Sequence, residues 1–263
     1  MTNQPPTLAS LTTSLTTQNL PAPHQSFLRT ILTPASQTKL LAVLTATAKH
    51  RLLASDITSA DILALSTASL PPTLNNVRIV NTSIQNDTFV QILDILDLGR
   101  SKWDQIEALE SERKGETTKG REVIRVLPQV ENAEHDRGST AATQVQAPTR
   151  TPHPTQSISR GPHKLLLQDF KGNKIWAFEL KPVPKIGIGG GTGGGGGISI
   201  GCKIWLKKGC KVARGMVMLE PGSCMILGGK IEGLDKSWRE GREQRLREEV
   251  ERERADGARG GAE

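Results

Sequence analysis

Apolar residues along this chain keep a helical period at first and then change to short strand-like runs. Phe27, Leu28, Ile31 and Leu32 fall at helical spacing before Pro34 interrupts. Leu40, Leu41, Val43, Leu44 and Ala48 resume the period, with Leu52 and Leu53 beyond. Thr58 followed by Asp61 offers a capping box, predicting a short helix through Ile62, Leu63 and Leu65 that Pro71-Pro72 ends. These elements predict a small three-helix bundle over 26–72. The Thr/Ser/Pro/Gln stretch at 1–25 is expected to be disordered.

Phe89 to Leu96 is rich in β-branched and aliphatic residues and reads as a strand stopped by Gly99. Ser101 with Asp104 then caps a short helix carrying Ile106 and Leu109. From Gln129 to Pro162 no apolar period exists, which marks an insertion or a linker. After Pro162 the short runs are Lys164–Phe170, Lys174–Leu180, Cys202–Leu206, Gly215–Leu219 and Cys224–Leu227. Turn residues divide them: Lys171-Gly172-Asn173, the glycine tract at 187–197, Lys208-Gly209 and Pro221-Gly222. Five or six short strands at such spacing match a small closed barrel of the OB type. The expected fold class is α+β: the helical bundle, then a five-stranded OB-fold barrel over 84–238 with an insertion at about 111–161. The tail at 239–263 carries opposite charges four residues apart (Arg239/Glu243, Glu243/Arg247, Arg247/Glu251). It is expected to be a solvated or frayed helix.

Charge changes the picture in the second half only. Up to Leu98, five basic residues face five acidic ones, whereas Arg160 to Arg239 holds fourteen Lys/Arg against five Asp/Glu. The whole chain carries +7, with a pI near 9.5. A compact unit with such an excess attracts polyanions, and Lys174, Lys203, Lys207, Lys208 and Lys211 are the expected nucleic-acid contacts. Trp176, Phe178 and Trp205 could stack on bases among them. In a chain with 3% aromatics, however, core packing is the expected use.

No catalytic set emerges. The glycine tract contains GxGxxG only as any polyglycine does, without the apolar helix or the terminal GK[ST] that phosphate binding needs. Asp94 and Asp97 are paired carboxylates, but a solvated strand edge is the expected setting. The five histidines fall in boundary or disordered segments, and no nucleophile elbow or HExxH is present. Cys202, Cys210 and Cys224 have no CxxC spacing, so buried thiols in a reducing compartment are expected rather than disulfides or zinc. No apolar run reaches about eighteen residues. The expectations are a soluble intracellular protein that is not an enzyme, with no cofactor, no metal and no membrane partner.

Four stretches together resemble one family. FVQILDILDLGRSKWDQIEALESERKGETTKGREVIRVLP (Phe89–Pro128) is similar to the first strand and helix of fungal RecQ-mediated genome instability protein 1. HKLLLQDFKGNKIWAFELKPVP (His163–Pro184) resembles that family's strand–turn–strand, and GCKIWLKKGCKVARGMVMLEPGSCMILGGKIEGLDKSW (Gly201–Trp238) its closing block. RLLASDIT (Arg51–Thr58) resembles the end of its helical bundle. The resemblance implies a nuclear, non-catalytic subunit that binds topoisomerase III and works with a RecQ-family helicase to dissolve double Holliday junctions. It also implies that the insertion after the first barrel strand reaches the topoisomerase gate. On that basis Arg113, Lys114, Lys119, Arg121 and Arg125 become candidate partner contacts. The alternative is a stand-alone OB-fold protein that binds single-stranded or branched DNA through its lysines.

Overall fold

A computed structural model describes residues 6–34, 39–114, 161–188 and 197–260. Three helices come first: α1 (Leu8–Thr16), α2 (Gln25–Ile31) and α3 (Leu41–Ala54). The first corrects the expectation of disorder over 1–25. Thr7 and Ser10 close a capping box at its N-terminus, and Leu11 and Leu15 are completely buried against α2 and α3. Their spacing of four places both on one helix face. The helix expected after Thr58 is absent. Asp56 instead accepts hydrogen bonds from the Thr58 N–H and hydroxyl, an Asx turn that competes with helix formation. In α3 the buried stripe is Leu44, Thr45, Ala48 and Leu52, while Leu40, Leu41 and Val43 are exposed.

A single sheet of eight short strands follows: β1 (Thr82–Ser83), β2 (Thr88–Asp97), β3 (His163–Asp169), β4 (Lys174–Glu179), β5 (Lys203–Leu206), β6 (Lys211–Ala213), β7 (Met216–Leu219) and β8 (Cys224–Gly228). Their order is β1-β6-β7-β4-β3-β2-β5-β8. The two ends of this order are tied by one interrupted hairpin. Its tip pairs Val212 with Val217 and its base pairs Leu206 with Cys224. One part of that hairpin runs parallel to β4 and the other antiparallel to β2, which curls the sheet round a common core. The OB-type barrel expected as five strands is thus divided into more and shorter pieces, because the turn at 207–210 and the Pro221-Gly222 turn break both arms of the hairpin. At the hairpin tip Gly215 has φ +78°, and a Cβ there would strike the Asn75 carbonyl.

Alternation along β3 and β4 is regular. Leu165, Leu167, Ile175 and Ala177 point inward with Val90, Ile92, Ile95, Ile204, Leu206 and Val217 to form the barrel core. A bulge between Ile92 and Asp94 lets β2 bend while keeping Ile95 inside. The bundle packs on the outside of β2 and β5, where Phe89 and Trp205 meet at 5.9 Å between ring centroids. All three cysteines are buried free thiols, and burial pushes Cys202 and Cys224 up to about 11.

Two helices end the described chain, α5 (Glu232–Glu240) and α6 (Arg242–Gly260). Earlier in the chain, α4 (Lys102–Lys114) follows β2, and the Ser101 hydroxyl accepts from the Asp104 N–H as the cap spacing predicts. The expected solvated tail is instead docked. Leu246 and Val250 of α6 are buried against Ile106 of α4, and Arg242 donates to Gln105 at 2.9 Å. Two apolar residues four apart in a charged helix suffice for one narrow contact stripe.

Candidate functional site

The connection between β2 and β3 leaves and re-enters the barrel at a closely built root. Gly99 and Gly161 touch backbone to backbone, so that a Cβ on either would overlap the other's main chain. Leu98 N–H donates to the Pro162 carbonyl at 3.0 Å just beside them. Asp97, buried at the end of β2, accepts from the Gly99 N–H and from Arg100 Nε, both at 2.9 Å. At the start of the returning strand β3, His163 donates its N–H to buried Glu179 of β4 at 3.1 Å, and its Nδ1 lies 2.7 Å from the same carboxylate. Its other oxygen accepts from the Val183 N–H at 2.7 Å. His163 Nε2 is buried and meets no hydrogen-bond partner among the described residues.

This geometry reassigns the carboxylates. Asp94 accepts from Trp238 Nε1 at 2.6 Å, which ties α5 to β2, and Asp97 is buried, so the pair is not a solvated strand edge. Asp169 caps the β3–β4 turn through the N–H groups of Lys171 and Asn173, and its other oxygen accepts from Leu70 N–H. Each carboxylate accepts hydrogen bonds from structural donors. Among the described residues no group of three or more His, Cys, Asp or Glu could hold a metal, and no helix is long and apolar enough to cross a membrane.

From this root the chain enters α4, with Arg113 and Lys114 in its last turn. Arg113 lies 3.6 Å from Glu243 of α6, so one of the expected partner contacts is engaged within the chain. Arg247 pairs with both Glu110 and Glu243, and Lys102 reaches Glu249 at 2.9 Å and Glu253 at 2.6 Å. Trp103 keeps half its surface exposed, with the Arg254 guanidinium 5.1 Å from its ring centroid. Arg242, at the start of α6, is pushed down to about 10 by burial and by the neighbouring charge of Arg100. Lys119, Arg121 and Arg125 lie outside the described residues, as does most of the glycine tract.

The lysines expected to meet nucleic acid do not form one group. Lys174, Lys207, Lys208 and Lys211 are exposed. Lys203 is wholly buried between the barrel and the bundle, where its Nζ donates to the Gly201 carbonyl at 2.5 Å. It cannot touch a phosphate from there. Its register partner is Gln91, which donates to Asp56 and accepts from the Ile57 N–H. Lys203 and Gln91 therefore belong to the seam between barrel and bundle. Position in a Lys-rich strand hid this, since inward and outward lysines read alike. Trp205 is half-buried against the bundle, whereas Trp176 and Phe178, also half-buried, point to the outside of the barrel, contrary to the expectation of core packing.

Comparison with known proteins bears on what this architecture serves. The family model described as "RMI1, N-terminal OB-fold domain" matches residues 70–242, a span running from the last residues before the barrel to the start of α6. RecQ-mediated genome instability protein 1 of Schizosaccharomyces pombe (strain 972 / ATCC 24843) is 29% identical over 187 residues, covering 71% of this chain and 72% of the relative. The match takes in the barrel, the root of the insertion and α4 together, and the chain belongs to the RecQ-mediated genome instability protein 1 family.

Proposed function

We propose that this protein is a non-catalytic scaffold of genome maintenance, acting in the nucleus. It docks topoisomerase III through its OB-fold barrel and the insertion after β2, and supports RecQ helicase-dependent dissolution of recombination intermediates. One observation carries the reading beyond family membership: the insertion springs from a rigid root. Gly99 and Gly161 fix where the two ends leave the barrel, Asp97 and Glu179 lock the strands beside them, and α6 braces α4 along its length. A projecting element that must press on a partner needs such a base, because a flexible one would lose its binding energy to ordering. Arg113 and Lys114 at the outer end of α4 are the proposed first contacts, with Lys119, Arg121 and Arg125 following in sequence.

The test is a decatenation assay with topoisomerase III. Replacing residues 111–160 by a Gly/Ser linker should leave the barrel folded and weaken stimulation. Undiminished stimulation by that variant would remove the mechanism.

A second reading is favoured by the exposed lysines Lys174, Lys207, Lys208 and Lys211, for which no carboxylate stands at ion-pair distance among the described residues. As a stand-alone DNA binder the protein would need no protein partner and would show a steep salt dependence. Lys207→Ala with Lys208→Ala would lower the slope by about 2, roughly one per phosphate contact.

A further inference from the structure

A groove opens in the helical bundle between α2, α3 and the turn at 59–62. Its volume is about 530 Å³, inside the range of roughly 300–1,000 Å³ usual for binding sites. Buried Phe27 and half-buried Ile62 make its apolar floor. Thr30 stands on the α2 wall, and His50, Arg51 and Ala54 stand exposed on the α3 wall. The sequence continues that wall towards the start of α3. Val43, Thr47, His50 and Ala54 follow one another at spacings of four, three and four residues, so one helix face carries them all. Val43 is 49% exposed, whereas the buried stripe of α3 lies on another face, through Leu44, Ala48 and Leu52. From Val43 to Ala54 the wall is about 16 Å long at ~1.5 Å per residue, or about three turns.

An apolar floor between two helix walls suits an amphipathic helix, which lays side chains at i, i+3 or i+4 and i+7 into such a groove. The wall at Ile62 is no free strand edge for an extended peptide. Its backbone is already paired, His24 N–H donating to the Ile62 carbonyl and Ala64 N–H to the Ala22 carbonyl. Charge then selects among amphipathic helices. Over residues 6–65 the cations are Arg29, Lys39, Lys49 and Arg51, and the carboxylates are Asp56 and Asp61. Asp56 is taken up by hydrogen bonds from Thr58 and Gln91. Asp61, on the turn side of the groove, lies 3.7 Å from His24 Nδ1. Arg51 has no carboxylate at ion-pair distance among the described residues, and His50 stands exposed beside it. The α3 wall is therefore cationic, and a carboxylate is its complement.

We infer that the groove between α2 and α3 docks an acidic amphipathic helix of a partner protein. Its apolar side chains rest on Phe27 and Ile62, and one of its carboxylates pairs with Arg51. The family model begins at residue 70, so this surface lies outside the matched OB-fold domain. Its use does not depend on the insertion after β2.

The experiment is fluorescence anisotropy with the full chain in about 50 mM salt. The probes are two labelled helical peptides of about 18 residues, each with a Leu stripe at i, i+3 or i+4 and i+7. One carries Glu beside the stripe and the other Lys. The Glu peptide should bind at least about tenfold more tightly than the Lys peptide. Ala54→Trp, which fills the groove from its exposed wall, should weaken binding by about tenfold or more. Arg51→Glu should reverse the preference between the two peptides. Val77→Ala, exposed and outside the groove, should leave binding unchanged. Circular dichroism and the unfolding midpoint verify that each variant is folded. Failure of both peptides to bind, equal affinity for the two, or a preference that Arg51→Glu leaves in place overturns the proposal. So does a concentration-dependent dimer of the full chain that Ala54→Trp dissolves, since the groove would then hold a second copy.

Discussion

Lys203 sits where a lysine is costly. It is wholly buried, its ammonium donates to the Gly201 carbonyl, and Asp56 attracts it from beyond ion-pair distance. Burial pushes it down to about 8 from an ordinary 10.5. The unfolded chain therefore binds more protons than the folded one between those values. Lys203's own contribution to stability is therefore lowest below about pH 8 and rises as pH climbs towards 10.5, against the opposite trend above about pH 9 from the buried thiols of Cys202 and Cys224. The full difference is on the order of 3 kcal/mol, at about 1.4 kcal/mol per unit of pKa. Lys203→Met should raise the unfolding midpoint at pH 7, and its advantage over the parent should shrink between about pH 8 and 10.5, as paired thermal melts across the range would reveal. A variant less stable than the parent at pH 7 would mean that the Gly201 hydrogen bond outweighs desolvation. Glu179 has the opposite character, because three donors depend on it: His163 N–H and Nδ1, and Val183 N–H. Glu179→Ala should destabilise the barrel by several kcal/mol, since each buried donor left unpaired costs about 1–3 kcal/mol. Denaturant melts read this directly, and a loss under about 1 kcal/mol would contradict the role given to that carboxylate.

Among the elements, α6 has the clearest testable role. Its contact with α4 combines a small apolar stripe, Ile106 with Leu246 and Val250, with ion pairs on both sides. Leu246→Asp should undock α6 and raise amide exchange along α4 while the barrel strands keep their protection. Exchange unchanged in α4 would show that α6 does not brace it. Surface ion pairs are screened by salt, so the exchange of α4 should also quicken as ionic strength rises. Elements differed in how far residues alone revealed them. Strands β3 and β4, the turn between them and the Ser101 cap were legible because alternation and turn chemistry act locally. Helix α1 was not, since Leu11 and Leu15 stand among Thr and Ser, whose propensity masks two buried positions. The docked state of α6 was hidden for a related reason: its partner Ile106 lies far away in sequence. Nothing local to Thr58–Asp61 distinguishes a capping box from an Asx turn, and Asp56, two residues earlier, decides between them.

In the whole molecule the barrel is a hub with three differently used surfaces. One is sealed by the bundle through Phe89, Gln91, Lys203 and Trp205. A second bears the insertion root with α4 and α6. The third presents Trp176 and Phe178. The inward positions were largely readable from period and turn residues. The division of the outside was not, because whether an outward Trp or Lys is covered depends on where a remote helix lands. Trp205 and Trp176 occupy similar strand settings and are both half-buried, yet of the two it is Trp205 that packs against the bundle core. The carboxylates of Asp94, Asp97, Asp169 and Glu179 each accept hydrogen bonds that tie neighbouring parts of the fold together. The scaffold reading is tested most directly by measuring the affinity of topoisomerase III for the full chain and for the variant with residues 111–160 replaced by a linker. The account predicts binding by the full chain and at least about tenfold weaker binding by the variant, equivalent to about 1.4 kcal/mol, with the barrel still folded. No binding by the full chain, or equal affinity for both, would contradict it.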